Sequence, residues 1–310
     1  MMRIALHGDI NVAQNYIELI QNSDHFLLSG IFPENQSLIP YKNFIDQPAN
    51  ILSTAEDLIR SSDAVFFLNY KDDQIELLKK SLKESRHIFL SSEIILTPEL
   101  INIIQKLGDE AGVLYYLRHN ILNSKFQKEL ENRQESPEFI DVYRYIPVDI
   151  QPNLLDIHKI ISRELMFVFS VNNRELKKYK ITTVPYCSDA PYIVNIRFDF
   201  SNSSTTNLTI NLFTHDNTRY TELFYNKNMI RMNTNPGIVE YINREHGNYH
   251  IARESYNYKD ENKLSEEMKR FLQLLSEKKY PVDFGKSGLS VHMIIWNIIN
   301  QISKLKTNPV

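Results

Sequence analysis

The sequence opens with Arg3-Ile4-Ala5-Leu6-His7-Gly8-Asp9-Ile10-Asn11-Val12-Ala13, and this stretch decides the predicted fold. The apolar run from Ile4 to Leu6 predicts a short strand, Gly8 predicts a tight turn, and the apolar spacing that follows predicts a helix. A strand, a glycine turn and a helix in this order open a dinucleotide-binding βαβ unit. The chain is therefore expected to begin with a Rossmann-like domain.

The turn departs from the usual glycine pattern of such a unit. The frame G-x-G-x-x-G/A holds Gly8, Ile10 and Ala13, so its outer positions fit and its middle position does not. The middle glycine normally lets a pyrophosphate approach the backbone, and the side chain of Ile10 occupies that approach. Gly8, Ile10 and the adjacent Asn11 are candidate cofactor-binding residues, and Ile10 predicts weak or absent binding of a dinucleotide.

Apolar strands alternate with helical segments over roughly residues 1 to 120, which predicts a doubly wound parallel sheet. Glu34 follows the second predicted strand, where such a fold places the carboxylate that holds the adenosine ribose. Asn69 follows the third predicted strand and is a further candidate cofactor-binding residue. His119 ends the fifth strand, at the edge of the sheet where ligands of this fold collect. A role for His119 in capping the strand and fixing the domain linker stays equally open.

From residue 139 the strands alternate apolar and polar residues, as is typical of an antiparallel sheet with one solvent-exposed face. One helix, about 154–169, lies between the first of these strands and the rest, and two apolar helical stripes follow at 264–275 and 291–302. The prediction is a Rossmann-like domain over 1–122 and an α+β domain over 123–310 with a large, open, mostly antiparallel sheet. The final helices either stay with the second domain or pack back on the first.

Composition excludes several classes of function. The 310 residues carry a formal net charge of −3 without a long basic run, which excludes nucleic acid as the main partner. A single cysteine and scattered histidines predict neither a disulfide nor a metal site. No stretch approaches the ~20 apolar residues that cross a membrane, and no secretion signal precedes the first strand. A cytoplasmic protein is expected.

Over nearly its whole length the chain resembles the Gfo/Idh/MocA family, which includes glucose–fructose oxidoreductase, inositol dehydrogenase and MocA-like proteins. The resemblance rests on the opening turn and on the local sequence and order of the segments 53–58, 62–65, 86–90, 111–120, 267–271 and 285–288. It implies NAD or NADP as cofactor, hydride transfer to or from a sugar or polyol-like ligand, and homo-oligomers formed through the open face of the C-terminal sheet.

The resemblance also implies three working residues, namely the lysine of an E-K-P motif, an aspartate, and a histidine on the first helix of the second domain. The motif falls on Ser91-Ser92-Glu93, so Ser92 replaces the lysine. Its neutral hydroxyl can hydrogen-bond a ligand but lacks the charge of an ammonium group. His158 matches the histidine. Asp156 precedes it by two residues instead of four, which points the two side chains to nearly opposite sides of a helix.

Three hypotheses for function remain open from the sequence. The first is an NAD(P)-linked oxidoreductase of modified chemistry, with His158 as acid–base group and Ser92 as hydroxyl anchor. The second is a non-catalytic relative that binds a sugar or nucleotide sugar. The third is a structural partner whose sheet assembles with another family member. The altered residues Ile10, Ser92 and Asp156 count against the first hypothesis, and a degenerate oxidoreductase site is the preferred description.

Overall fold

The computed structural model describes residues 1–33, 51–68, 74–90, 96–117, 130, 133, 135–147, 153–172, 174–184, 190–233, 237–245, 248–255, 263–277 and 284–305. The chain divides into two compact units. The first unit comprises Met1–Asn120 and Lys263–Met293, and the second comprises Ile121–Asn262 and Ile294–Val310.

The described helices and strands follow one another in this order: β1 (Met2–Gly8), α1 (Ile10–Gln21), β2 (Phe26–Pro33), α2 (Ala55–Ser61), β3 (Ala64–Phe67), α3 (Ile75–Lys83), β4 (His87–Leu90), α4 (Pro98–Ala111), β5 (Tyr115–Leu117), β6 (Phe139–Tyr145), α5 (Leu154–Val171), β7 (Leu176–Thr183), β8 (Ile193–Phe200), β9 (Thr205–Asn211), β10 (Thr218–Phe224), β11 (Asn228–Asn233), β12 (Ile238–Glu245), β13 (Asn248–Ser255), α6 (Lys263–Glu277) and α7 (Phe284–Leu305).

The first unit is built on a five-stranded sheet in the order β2-β1-β3-β4-β5. Every neighbouring pair in this sheet is parallel. The strands are buried on both faces, as the run Ala64–Phe67 illustrates with four buried residues in succession. The expected doubly wound, Rossmann-like sheet is confirmed, and its chain order reverses between β1 and β3, where ligands bind in folds of this kind.

Helix α6 completes the hydrophobic core on one face of this parallel sheet. Its residue Phe271 is fully buried and meets the rings of Phe66, Phe89 and Tyr116 edge-on, with centroid separations of 5.5, 5.8 and 6.0 Å. Phe66 and Phe89 stack on each other at 4.5 Å. A residue near the end of the chain therefore fills the centre of the core formed by the first 120 residues.

Truncating this ring tests how much the returning helix stabilises the first unit. We expect Phe271→Ala to lower the free energy of unfolding by about 3–5 kcal/mol, because it removes a fully buried aromatic ring and leaves a cavity. Urea unfolding followed by circular dichroism measures the change. Lys269→Ala, on an exposed position of α6, is the matched control. A loss below about 1 kcal/mol for Phe271→Ala would contradict this packing role.

The second unit contains an eight-stranded sheet in the order β13-β12-β11-β10-β6-β9-β8-β7. Its neighbours are antiparallel except for the parallel pair β6 and β9, so the large, mostly antiparallel sheet is confirmed. The sequence reasoning missed β7, β12 and β13. β7 and β13 lie at the two edges of the sheet and expose side chains that a central strand would bury, and β12, the neighbour of β13, also departs from regular apolar–polar alternation.

A buried ion pair ties α5 to this sheet. Glu164 of α5 is fully buried, and its Oε2 accepts a hydrogen bond from Nε of Arg219 on β10 at 2.8 Å. The Arg219 guanidinium also lies over the ring of Phe167, 4.7 Å from its centroid. A charge in the interior is tolerated only when it is paired in this way, so the contact fixes α5 on the sheet at a defined rotation about its axis.

Candidate functional site

The predicted cofactor turn is formed by Gly8, Asp9 and the start of α1. Gly8 ends β1 with φ at 141°, a backbone conformation that residues with a side chain rarely adopt. The carbonyl of Asp9 accepts the first helical hydrogen bond, from the N–H of Ala13 at 3.0 Å. Helix α1 therefore begins at Ile10, two residues after the glycine, so its N-terminus lies at the carboxyl edge of the parallel sheet.

Below this turn, the side chain of His7 on β1 contacts the ends of the neighbouring strands β2 and β3. It lies in register with Phe32 on one side and Phe67 on the other. Its ring stacks on Phe32 at 5.2 Å and meets Phe67 edge-on at 5.7 Å, and its Nδ1 lies 2.9 Å from the Phe32 carbonyl oxygen. The Nδ1–H tautomer donates a hydrogen bond in this geometry. The floor of the turn is thus a rigid aromatic cluster, which the sequence reasoning did not identify.

Replacing Gly8 tests the strain at the turn. We expect Gly8→Ala to destabilise the protein by about 2–3 kcal/mol, because alanine must adopt a sparsely populated conformation there. Gly112 is the matched control, since it also has a positive φ, 62°, in the common left-handed region, with nothing within 4 Å of an added Cβ. Gly112→Ala should cost about 1 kcal/mol. Equal losses in urea unfolding would contradict a special conformation at Gly8.

The charge at this turn is unfavourable for a phosphate. Asp9 occupies the N-cap position of α1, so its carboxylate adds a negative charge at the end of the helix that would attract an anion. The first turn of α1 contains no other acidic residue. The turn therefore combines a helix N-terminus, which favours an anion, with a carboxylate, which disfavours one.

The candidate histidine lies on α5. His158 is buried, with 5% of its surface exposed, and among the described residues its ring makes no hydrogen bond. Burial lowers the pKa of His158 to about 4, and the charge of the adjacent Lys159 contributes to the same shift. The imidazole is therefore neutral at physiological pH and has a lone pair available to accept a proton.

Ser162 lies one helical turn after His158, on the same side of α5. It is 6% exposed, and its hydroxyl oxygen has no hydrogen-bond partner in the described part of the chain. Asp156 is half-buried in the first turn, where its N–H binds the side chain of the N-cap residue Asn153 at 2.9 Å. The polar flank of this helix consists of His158 and Ser162. The sequence reasoning missed Ser162, although the spacing of four residues was visible.

The burial of His158 predicts a pH dependence of stability. The unfolded chain takes up this proton near pH 6.5 and the folded protein only near pH 4, so stability is fully present above pH 6.5 and is lost as the pH falls through that window. The loss attributable to His158 should reach about 3 kcal/mol. His158→Gln should flatten the profile of unfolding free energy between these pH values.

Burial also lowers the pKa of His87, which is present in both proteins. The difference between the pH profiles of wild type and His158→Gln therefore isolates the contribution of His158. His25→Gln, at an exposed position, serves as the control. Parallel profiles for wild type and His158→Gln would show that His158 titrates alike in the folded and unfolded states.

The structure brings together only part of the predicted site. Gly8 and the backbone of Ile10 and Asn11 form the turn in the first unit, and His158 lies in the second unit. Asp156 is not on the side of α5 that carries His158. Several predicted residues lie outside the described residues, namely Ser92, Glu34, Asn69 and His119, as do the side chains of Ile10 and Asn11.

No group of three or more histidine, cysteine, aspartate or glutamate side chains in the described part of the chain is arranged to hold a metal ion. None of the described helices combines the length and the apolar composition that a membrane crossing requires.

Comparison with known proteins supports the fold. No family profile and no curated protein sequence matches the chain. Among solved structures, a UDP-N-acetylglucosamine 3-dehydrogenase from Acidithiobacillus ferrooxidans superposes with a TM-score of 0.82 at 15% identity, over 98% of both chains. A Gfo/Idh/MocA family oxidoreductase from Vibrio cholerae gives 0.80 at 12% identity, over 99% of this chain and 100% of that one.

A biliverdin reductase from Synechocystis sp., solved with biliverdin and NADP+, also matches, with a TM-score of 0.73 at 13% identity over 97% of this chain and 98% of that one. The chain has the two-domain fold of these oxidoreductases along its whole length, and the fold implied by the resemblance to the Gfo/Idh/MocA family is confirmed.

Proposed function

We propose that the protein is a Gfo/Idh/MocA-type oxidoreductase that acts, with NAD or NADP, on a hydroxyl group of a sugar or polyol-like substrate through an altered site. The observation that carries this proposal is the neutral, buried His158 on the first helix of the second unit, within a fold otherwise matched to dehydrogenases. One of the matched proteins is a UDP-sugar dehydrogenase, which favours a sugar as the substrate class.

In this proposal the turn from Gly8 to Ala13 holds the diphosphate of the cofactor. The conformation of Gly8 permits close approach to the backbone, and the free amides of α1 supply hydrogen bonds. When bound, the nicotinamide ring accepts or donates the hydride. The cofactor is expected to bind weakly, because Asp9 repels the diphosphate and Ile10 stands where a glycine is usual.

His158 is the proton acceptor in this proposal. A hydroxyl group that loses hydride must also lose its proton, and the neutral imidazole can take it. Its low pKa in the free protein makes it a modest base, and an approaching anionic ligand would raise that pKa. Ser162, on the same flank, is available to bind a neighbouring hydroxyl of the substrate. Ser92 is the proposed anchor for the reacting hydroxyl.

The alternative is a non-catalytic binding protein or oligomer partner that retains the fold. A specific observation favours it, namely that Asp156 is directed away from the side of α5 that carries His158, so this aspartate does not orient the imidazole or stabilise its charged form. The N-cap carboxylate of Asp9 also favours this alternative, since it weakens the attraction for a phosphate.

Cofactor titration separates the two proposals. We expect NADH or NADPH to bind the wild type with millimolar to submillimolar affinity, and Asp9→Asn to tighten binding about 2- to 5-fold, because it removes the charge at the helix end. Ile10→Gly should also tighten it. Calorimetry or nucleotide fluorescence provides the measurement. Asp24→Asn, after the opposite end of α1, is the charge-matched control and should change nothing.

Failure of the wild type and of both turn variants to bind either nucleotide at millimolar concentration would contradict the oxidoreductase proposal. The non-catalytic binding protein or oligomer partner would then be the remaining proposal. If binding is found, production of reduced nicotinamide from NAD or NADP with nucleotide sugars and polyols tests catalysis, and His158→Gln should abolish it.

We also propose that the protein forms homo-oligomers through the open face of the large sheet. This face carries half-buried tyrosines in contact with one another, with ring centroids of Tyr143 and Tyr220 at 6.3 Å and of Tyr143 and Tyr145 at 6.4 Å. Aromatic residues of this kind are enriched at interfaces. A monomeric mass at every concentration in solution would exclude the contact.

A further inference from the structure

The two edges of the eight-stranded sheet differ in how they are protected. The edge strand β7 carries three exposed lysines, Lys177, Lys178 and Lys180, and its register against β8 shifts between Leu176 and Lys178. Lysines and irregular register on an edge strand are the features by which proteins prevent edge-to-edge pairing. The β7 edge is thus closed to further strands.

The opposite edge, β13, lacks these features. It is eight residues long, contains neither lysine nor proline, and pairs with β12 in an unbroken register from Asn248 to Ser255. The side chains of residues 249–255 are all exposed, and two large apolar groups are among them, Tyr249 at 66% and Ile251 at 61% exposure. Across the residues that the structure describes, β12 is the only strand paired with it.

We propose that β13 pairs antiparallel with β13 of a second copy of this chain, so that the two sheets become one continuous sheet. A regular strand with an open row of backbone donors and acceptors is a template for another strand. A symmetric contact requires the strand to be complementary to itself, and β13 meets this requirement. The contact is independent of the proposed catalysis and differs from pairing through the open face.

Symmetry restricts the register of this contact. A two-fold axis perpendicular to the sheet keeps each side chain on its own face, so one residue must lie opposite its own copy. Nearly the whole strand is paired only when Ile251 or Ala252 is the central residue, which is the one that lies opposite its own copy. With Ile251 at the centre, the two Ile251 side chains face each other, and Tyr249 of each copy lies opposite Arg253 of the other.

The Ile251-centred register uses the exposed groups best. It covers the two isoleucines, and it places an arginine beside each tyrosine ring, a favourable cross-strand pair. Arg253 also forms an ion pair with Glu240 on β12, in which its Nε donates a hydrogen bond at 2.9 Å. With Ala252 at the centre, Ile251 would instead face Arg253 and Tyr249 would face Ser255.

Charge substitution at Ile251 tests both the contact and its register. We expect the mass of the full-length protein, measured by light scattering and sedimentation velocity, to fall by half in Ile251→Lys and in Ile251→Glu, because each places like charges opposite one another. Mixing the two variants in equal amounts should restore the wild-type mass, since lysine then faces glutamate. Thr182→Glu, exposed on β7, is the matched control and should retain the wild-type mass.

Several results would overturn the proposal. A monomeric wild type at micromolar concentration is one, and an unchanged mass of Ile251→Lys is another. Retention of the wild-type mass by Ile251→Glu together with dissociation of Ile251→Lys would indicate that residue 251 faces Arg253, which excludes the Ile251-centred register. Circular dichroism checks that the variants fold, and restoration by mixing requires that both are folded.

Discussion

The arrangement of the second unit depends on the cost of removing polar groups on α5 from water. Ten of its eighteen residues are buried, so polar side chains on this helix must be paired, neutral or both. Glu164 is paired with Arg219, whereas among the described residues the ring of His158 makes no hydrogen bond and burial lowers its pKa to about 4. The same desolvation therefore produces a structural anchor on one flank of the helix and a group with an unusual pKa on the other. A perturbed titratable group beside an unsatisfied hydroxyl, that of Ser162, is the pattern expected of a functional site.

At the N-terminal turn, backbone shape and charge have separate origins. Gly8 has a positive φ at the end of β1, and the carbonyl of Asp9 accepts the first hydrogen bond of α1. Asp9 places a carboxylate at the same point. Backbone geometry is set by strand pairing and by the aromatic contacts of His7, so it persists when side chains change. Affinity for an anion depends on charge and is lost more easily.

The sequence predicted the architecture better than the site. The strand, glycine and helix at residues 3–13 are encoded locally, and the prediction of a parallel first sheet and a mostly antiparallel second one is confirmed. The edge strands β7 and β13, and β12 beside β13, were missed because they lack the regular apolar alternation on which the prediction relied. The His7 cluster depends on register between three distant strands, and the burial of Ser162 depends on tertiary packing. Neither is visible in a local pattern, whereas the prediction of His158 as a site residue came from family resemblance.

The insertion of Phe271 among Phe66, Phe89 and Tyr116 has a consequence for biosynthesis. A ribosome-bound chain that has emerged only as far as β5 presents one aromatic face of its parallel sheet to water, because the helix that covers it has not been made. That face stays open until α6 has been translated, and long-range closure of this kind slows folding. The nascent chain thus exposes this apolar face while residues 118–262 of the 310 are being made.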